Sequence, residues 1–302
     1  MHIFVTGATG FVGSAVVRQL LAAGHSVTGL ARSEQSAAAL EAAGVTAQRG
    51  DLADTELLAT AARAADAVMH LGYIHDFSRM DVAADTDTAA ITALGEALAG
   101  TDRPLLVTAG LAMLTPGRDA TENDGADHPA SNGRQSEKAA AVFADQGVRV
   151  GIVRLAPSVH GHNDHGFVPT LIDIARRTGV SGYIDAGENL WSAVHVDDAA
   201  AIYLRALDAV VPGITRFHAA ADQGIAFKDI AAAIGAGLGI PTQSIPAADA
   251  VEHFGWMGRF AGLGMSASSA QTREKLGWNP TGPSLLDDLA NGDYFAEDRR
   301  GL

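Results

Sequence analysis

Short apolar runs alternate with Ala-rich stretches along the first half of the chain. The apolar runs predict strands at Ile3–Thr6, Val27–Ala31, Gly44–Arg49, Ala67–Leu71, Leu105–Thr108 and Arg149–Arg154. The stretches between them predict helices at Gly13–Ala23, Glu34–Ala43, Asp54–Arg63, Asp85–Ala99 and Gln135–Gln146, with Asp54 or Thr55 as the N-cap of the third. This alternation is typical of an α/β protein with a doubly wound parallel sheet that has helices on both faces.

The pattern changes after Leu155. Turn-forming residues fill 156–169, a helix is predicted at Thr170–Arg177, and the chain to Ala193 reads as irregular. A short strand and a helix then span 194–207, and a further strand is predicted at Arg216–Ala219. We therefore expect one domain over 1–155, to which 194–220 returns, and a smaller part formed by 156–193 and 221–302.

Composition narrows the classes of protein that this chain can be. Hydrophobic residues make up 47% of the 302 residues and charged residues 19%, which is the composition of a folded chain and not of a disordered one. The net charge is −14, so nucleic acid and anionic membranes are poor partners. The absence of Cys excludes disulfides, thiolate metal sites and a Cys nucleophile. No targeting segment or spanning run is visible, and the expected location is cytoplasmic.

A glycine-rich loop follows the first predicted strand and opens the first predicted helix. It reads TGATGFVG from Thr6 to Gly13. Gly7 permits a tight turn, Gly10 leaves room for a pyrophosphate, and Gly13 lets the helix approach the sheet. The free amides of the helix N-terminus then face the anion. The loop therefore predicts a dinucleotide site that also includes Thr9, Phe11 and Val12.

Several further motifs occur in the same order as in a known family. They are Gly50-Asp51-Leu52, Val68-Met69-His70-Leu71-Gly72, Arg154 with Pro157 and Val159-His160-Gly161, Val194-His195-Val196-Asp197-Asp198-Ala199, and Leu276-Gly277-Trp278-Asn279-Pro280. With the glycine loop, these resemble the extended short-chain dehydrogenase/reductase superfamily, of the NAD-dependent epimerase/dehydratase type. The resemblance implies a Rossmann-type fold with a smaller C-terminal substrate-binding part. It also implies cofactor contacts from Asp51, Leu52, Leu71, Gly72, Tyr73, Leu155 and Pro157.

The end of the second predicted strand bears on the choice of nicotinamide cofactor. An NAD enzyme usually has Asp or Glu here, to bind the ribose 2′-hydroxyl. This chain has Arg32 and Ser33 instead. A guanidinium can bind a 2′-phosphate through two hydrogen bonds, so we expect NADP(H) in preference to NAD(H). The alternative is that Arg32 only begins the following helix.

The catalytic pattern of the family is broken in this chain. The family has a Tyr-xxx-Lys pair, in which the Tyr exchanges a proton and the Lys holds the ribose. Here Lys138 stands in the Lys position, whereas Arg134 occupies the Tyr position, and Arg does not exchange protons near neutral pH. The usual Ser or Thr position is Gly110, although Thr108 or, with a shift in register, Thr115 is nearby.

Two residues after the fourth predicted strand can replace the missing proton donor. They are Tyr73 and His75, and the latter precedes a carboxylate at Asp76. The alternative places Tyr73 beneath the ribose and His75 in solvent. Arg134 can then anchor an anionic substrate or polarise a carbonyl.

Three histidines and an aspartate fall within His160–His165. This run can in principle form a metal site, but the family requires no metal, and we expect no metal here. Because it follows the sixth predicted strand, we expect it to contact substrate instead. We expect His195 and Asp197 to be structural, with the Asp197 carboxylate binding amides at a helix start.

Two further stretches, 179–191 and 251–264, are expected to wall the substrate pocket or to pack a small core. The second is aromatic and has few cations, which favours a small, fairly apolar substrate. The sequence thus predicts an NADP(H)-dependent oxidoreductase acting on a carbonyl or alcohol. A nucleotide-sugar epimerase or dehydratase and a non-catalytic NADP-binding sensor are the alternatives. The Ala-rich helices near 85–99 and 135–146 predict a homodimer.

Overall fold

The computed structural model describes residues 1–75, 79–112, 114–115, 117–125 and 134–296. Its strands are β1 (His2–Thr6), β2 (Ser26–Ala31), β3 (Thr46–Arg49), β4 (Ala67–His70), β5 (Pro104–Gly110), β6 (Arg149–Leu155), β7 (Ser158–His160), β8 (Ser181–Ile184), β9 (Leu190–His195), β10 (Gly213–Ala219), β11 (Asp222–Ala226) and β12 (Thr242–Ile245).

Its α-helices are α1 (Phe11–Ala22), α2 (Glu34–Ala42), α3 (Thr55–Ala64), α4 (Met80–Leu98), α5 (Ser136–Ala141), α6 (Phe167–Thr178), α7 (Val196–Ala209), α8 (Phe227–Leu238), α9 (Ala250–Phe254), α10 (Gly258–Ala261), α11 (Ala270–Leu276) and α12 (Leu285–Asn291). A 3₁₀ turn at Ala144–Gln146 follows α5, so the predicted fifth helix is interrupted. The fourth helix begins at Met80 and not at Asp85.

Seven strands form one parallel sheet in the order β10-β6-β5-β4-β1-β2-β3. The central strands are buried along nearly their whole length, which explains why they read as continuous apolar runs. Helices α1, α2 and α7 pack on one face and α3, α4 and α5 on the other. The predicted doubly wound parallel sheet is therefore confirmed, and the order reverses between β1 and β4, where the ligand crevice of such folds lies.

A smaller core lies beside the sheet. Helices α6, α8, α9, α10 and α12 pack around a three-stranded sheet, β11-β9-β7, and a two-stranded one, β12-β8. The prediction of an irregular chain up to Ala193 was wrong, because β8 and β9 lie there. Each of these strands pairs with a segment distant in sequence, for example Ser181 with Thr242, so local pattern carried little signal.

Within the described parts of the chain, none of the helices combines the length and the apolar character that crossing a bilayer requires.

Candidate active site

The glycine loop fits tightly against the end of β4. Gly7 has φ +69°, and a Cβ there would lie 2.6 Å from the Gly72 amide nitrogen. A Cβ on Gly13 would lie 1.9 Å from the Gly7 carbonyl oxygen, so α1 packs against the loop in a way that only glycine allows. Gly10 is the N-cap of α1, and no described side chain caps this end. The first-turn amides of α1 are therefore available to an anion.

The other residues expected to contact the dinucleotide surround this loop. Thr9 is exposed, Phe11 and Val12 are half-buried, and Leu52 packs against Gly72 beside the half-buried Leu71. Asp51 is exposed, and its carboxylate accepts a hydrogen bond from the Ala53 amide at 3.0 Å. Leu155 ends β6 and Pro157 follows it, both half-buried.

An exposed arginine follows the end of β2. Arg32 is exposed, and no described residue pairs with its guanidinium. Ser33 caps α2, because its hydroxyl accepts a hydrogen bond from the Ser36 amide at 3.1 Å. Arg49, which pairs in register with Ala31, forms an ion pair with Glu34. Two arginines thus lie at adjoining strand ends where an adenosine ribose binds in this fold.

Arg134 lies against the residues that follow β4. Its guanidinium carbon is 4.1 Å from the centre of the Tyr73 ring, and its Nη2 donates to the Thr108 carbonyl at 2.9 Å. The Tyr73 and His75 rings meet edge to face, 5.3 Å apart. Asp76, the carboxylate expected beside His75, lies outside the described residues. The structure therefore brings together Arg134, Tyr73 and His75, three of the residues expected to be catalytic.

The pKa values of Tyr73 and His75 move in opposite directions. Burial raises the pKa of Tyr73, and the Arg134 charge offsets this rise in part. Burial lowers the pKa of His75, and the charges of Arg134 and His165 lower it further. At neutral pH the Tyr73 phenol is therefore protonated and the His75 imidazole is neutral.

The other two expected catalytic residues lie in different environments. Lys138 is exposed on α5, and no described residue pairs with its ammonium group. Thr108 is buried; its hydroxyl donates to the His70 carbonyl at 2.9 Å and lies 2.7 Å from the Tyr203 hydroxyl. The Thr108 hydroxyl is thus occupied within the protein. Thr115 donates to the Arg118 carbonyl, and Gly110 ends β5.

Sequence reasoning missed a buried polar chain behind Arg134. Its members are Thr6, His70, Asp87 and Ser136, each at most 1% exposed. Asp87 lies on α4 among the buried Ala83, Ala90 and Ile91. A charged residue at an apolar position of a helix is a signal that could have been noticed.

The loop from His160 to Gly166 closes one side of the crevice. The His165 and Phe11 rings are 5.8 Å apart, which places this loop beside the start of α1. Residues near the C-terminus hold it: the Tyr294 hydroxyl donates to Asp164 at 2.7 Å, and His160 pairs with Asp288 at 2.8 Å. Burial raises the pKa of Asp164. Among the residues that the structure describes, no group of three His, Cys, Asp or Glu side chains could hold a metal ion.

His195, and not Asp197, caps the start of α7. His195 caps α7, with its Nδ1 3.3 Å from the Asp197 amide, whereas the Asp197 carboxylate pairs with Arg18. The expectation that the Asp197 carboxylate binds helix amides was therefore wrong, because Arg18 on α1 occupies it.

Aromatic side chains lie beyond the loop. The rings of Phe167, Trp256 and Phe260 contact one another at 5.2–6.1 Å, and Trp256 is 41% exposed. Phe254 and Met257 are buried in the smaller core. The 251–264 stretch thus packs a core and also exposes apolar surface.

The fold is that of a Rossmann-type α/β protein, and comparisons with known proteins agree. The model of the NAD dependent epimerase/dehydratase family matches residues 3–216, and the chain belongs to this family. The predicted resemblance is confirmed.

Three similar proteins illustrate the range of relatives that this family includes. An uncharacterized protein of Schizosaccharomyces pombe is 46% identical over 98% of this chain and 100% of its own. A 2-alkyl-3-oxoalkanoate reductase of Stenotrophomonas maltophilia is 30% identical over 70% of this chain and 67% of its own. The structure of dTDP-glucose 4,6-dehydratase from Streptomyces venezuelae, which contains NAD, has a TM-score of 0.79 at 21% identity, covering 100% of this chain and 98% of that one. Family and relatives indicate an enzyme of the oxidoreductase or epimerase type.

Proposed function

We propose that the protein is an NADP(H)-dependent oxidoreductase that interconverts a carbonyl and an alcohol on a small, fairly apolar substrate. One observation carries the proposal: the Tyr73 phenol lies beneath the Arg134 guanidinium, next to the glycine loop. A proton donor and a cation are the two parts that the Tyr-Lys pair of the family supplies.

The residues of the crevice fit a nicotinamide dinucleotide. Gly7 and Gly13 make the turn and close packing that the loop requires, and the uncapped start of α1 offers amides to the pyrophosphate. No described residue accepts a hydrogen bond from Arg32, whose guanidinium suits a 2′-phosphate, and Arg49 adds positive charge nearby. Lys138 would hold the nicotinamide ribose. The NAD in the Streptomyces venezuelae neighbour supports this class of cofactor.

The bound cofactor supplies or accepts a hydride, and the protein handles the proton. In the reducing direction, the Tyr73 hydroxyl donates its proton to the carbonyl oxygen of the substrate while that oxygen gains charge. Arg134 then stabilises the phenolate that remains, because the guanidinium keeps its charge throughout. The neutral His75 imidazole can accept a hydrogen bond from a polar group through its unprotonated nitrogen, but it is a poor donor of an acidic proton.

The exposed aromatic surface supports the substrate class. Phe167 and Trp256 offer apolar area beyond the loop that closes the crevice. The reductase from Stenotrophomonas maltophilia acts, by its name, on 2-alkyl-3-oxoalkanoates, which combine an alkyl chain with a carbonyl and a carboxylate. A 3-oxo acid is therefore the first substrate class to test, and Arg134 could also bind its carboxylate.

The experiment is a cofactor-consumption assay. Binding of NADPH and NADH to the purified protein is measured first by calorimetry, and NADPH oxidation at 340 nm is then followed with a panel of 3-oxo acids, their esters and simple ketones. We expect tighter binding of NADPH and oxidation in proportion to the product formed.

The alternatives predict different results in the same assay. A nucleotide-sugar epimerase or dehydratase would convert its substrate without net consumption of cofactor, and a sensor would bind NADPH and turn over none of the panel. Either result would contradict the proposed reaction.

A further inference from the structure

The buried chain of hydrogen-bonded side chains behind Arg134 runs without a break from the glycine loop to the crevice. Gly72 N–H donates to the Thr6 hydroxyl at 3.1 Å, and the Thr6 hydroxyl lies 2.9 Å from His70 Nδ1. His70 Nε2 is 3.0 Å from Asp87 Oδ1. The Ser136 hydroxyl donates to Asp87 Oδ2 and accepts from Arg134 Nε, the latter at 2.7 Å.

The hydrogens of this hydrogen-bonded chain can all be directed toward Asp87. With the His70 hydrogen on Nε2, facing the carboxylate, Nδ1 accepts the hydrogen of the Thr6 hydroxyl, and Thr6 in turn accepts from Gly72. From the other side, Arg134 donates to Ser136, and Ser136 donates to Asp87. Every hydrogen therefore points toward the Asp87 carboxylate, which accepts from both sides.

This arrangement suits an ionised Asp87. His70, Arg134 and Ser136 together hold the pKa of the carboxyl below its ordinary value even though burial acts to raise it. Arg134 is the nearby cation that balances this buried charge. A buried carboxylate with such partners fixes the geometry of the groups that bind it.

We infer that Ser136 and Asp87 are positioning residues that hold the Arg134 guanidinium over the Tyr73 ring. The Nε of Arg134 is tied to Ser136, and one Nη2 hydrogen is tied to the Thr108 carbonyl. No described residue accepts a hydrogen from Nη1 of Arg134. The inference rests on the proposed pairing of Tyr73 with Arg134, and it adds the residues that make this pairing rigid.

The test reads the phenol directly and needs no substrate. The protein has four tyrosines, so ¹³C labelling at the tyrosine Cζ gives few NMR signals, and Tyr73→Phe identifies the one from Tyr73. Its titration is followed from pH 8 to 12.5 in the intact 302-residue chain, because burial raises the pKa of this phenol and the substitutions should raise it further. Among the described residues, the charged groups that act on the Tyr73 phenol are Arg134 and Asp87, and neither changes charge over this range.

Ser136→Ala is the informative substitution because it leaves both charges in place. Removing Asp87 itself would confuse the result, since its negative charge raises the pKa of Tyr73 directly. We expect Arg134→Gln to raise the pKa of Tyr73 by about 1, and Ser136→Ala to raise it by a smaller amount in the same direction. Ser136→Thr keeps the hydroxyl and should restore the parent value.

Ser269→Ala provides a matched control. Ser269 is also buried and also accepts a hydrogen bond from an arginine Nε, that of Arg273, whose guanidinium packs on Trp278. This variant should leave the titration of Tyr73 unchanged even if it lowers the melting temperature.

The outcomes separate the two proposals. If Arg134→Gln raises the pKa of Tyr73 and Ser136→Ala does not, the positioning role is overturned and the Tyr73–Arg134 pair stands. If Arg134→Gln itself has no effect, the pair fails and the positioning role fails with it. A Ser136→Ala protein that melts earlier but titrates like the parent shows a structural role alone.

Discussion

At the scale of single residues, we propose that Arg134 replaces the proton-exchanging phenol of the family by a permanent cation. On this proposal that position takes no part in acid–base catalysis, and the proton comes from a neighbouring side chain or from water. The Arg134 guanidinium lies over the ring of Tyr73. Tyr73 follows β4, whereas Arg134 precedes α5. We propose that the acid has moved to Tyr73 and that a cation now occupies the position where the family has its acid.

Substitution of the two donor candidates tests this exchange. Tyr73→Phe removes only the hydroxyl and should lower kcat by roughly 10²–10⁴-fold, the range for loss of a general acid. His75→Ala should lower kcat only a few-fold, because the imidazole is already neutral at pH 7. Steady-state kinetics with NADPH and a substrate from the panel measure both. Equal losses, or a larger loss in His75→Ala, would contradict the assignment of Tyr73.

A second residue-scale prediction concerns cofactor choice. Arg32→Asp removes a cation and adds an anion beside the expected 2′-phosphate, so the affinity for NADPH should fall and that for NADH should rise. We expect the NADPH/NADH affinity ratio, measured by calorimetry, to fall at least about tenfold, as the loss of a charge-assisted pair implies. Arg63→Asp, at an exposed position in the last turn of α3, controls for the change in net charge. An unchanged ratio in Arg32→Asp would refute the NADP assignment.

The imidazole of His218 links stability to pH. Its Nδ1 lies 2.8 Å from the Ser268 carbonyl and its Nε2 lies 3.1 Å from Arg154 Nη1, so it is held neutral. Burial, followed by the Arg154 charge, lowers its pKa from 6.5 to about 4. Because the unfolded chain binds a proton more readily over this interval, the free energy of unfolding should decrease as the pH falls from 6.5 to 4, by up to about 3 kcal/mol.

Urea unfolding at several pH values measures this contribution. His218→Gln keeps a donor for Ser268 and an acceptor for Arg154 but does not titrate. The difference in unfolding free energy between parent and variant should therefore change over the same interval. A constant difference would show that His218 is not responsible.

At the scale of elements, two glycines in the turn from β1 into α1 are expected to have different roles. We expect Gly13 to matter for folding and Gly10 for cofactor binding. An alanine Cβ at position 13 would collide with the Gly7 carbonyl at 1.9 Å, whereas one at position 10 would meet it at 3.2 Å. Gly13→Ala should destabilise the protein by roughly 1–3 kcal/mol. Gly10→Ala should melt close to the parent but lose cofactor affinity, because its methyl group occupies the path of the pyrophosphate.

Thermal melts with and without NADPH check this pair of variants. In Gly10→Ala, the cofactor-dependent rise in Tm should be lost while the unliganded Tm is retained. If NADPH stabilises Gly10→Ala as much as the parent, the pyrophosphate does not lie against this loop.

The sequence predicted the large sheet well because its strands are buried on both faces and its helices carry clear boundary signals. Asp54, for example, does cap α3, through a hydrogen bond from the Leu57 amide. Strands β7, β8, β11 and β12 were missed, since they are short and polar and gain stability from distant partners.

The same distinction applies to the site. Glycine spacing predicted the tight loop, because the steric requirement is local. The hydrogen bond between Asp87 and Ser136 was not predictable in this way, because the two residues are 49 positions apart and meet only through the packing of α4 against α5. The orientation of Arg134 follows from that packing and from the Thr108 carbonyl.

At the scale of the whole molecule, α4 and α5 pack side by side and expose apolar side chains. Val82 on α4 is 41% exposed, and Val142, just after α5, is 55% exposed. We expect these helices to form the homodimer contact. Light scattering during gel filtration should give twice the 31.0 kDa chain mass, and Val142→Glu should give a monomer. A monomeric parent protein would contradict the expectation.

The contacts of His160 and Asp164 with Asp288 and Tyr294 have a consequence for synthesis. The glycine loop lies far ahead, in chain order, of the two residues that hold the wall facing it. A nascent chain can therefore form its nucleotide cradle early and yet have an open, unfinished pocket until Asp288 and Tyr294 have been synthesised.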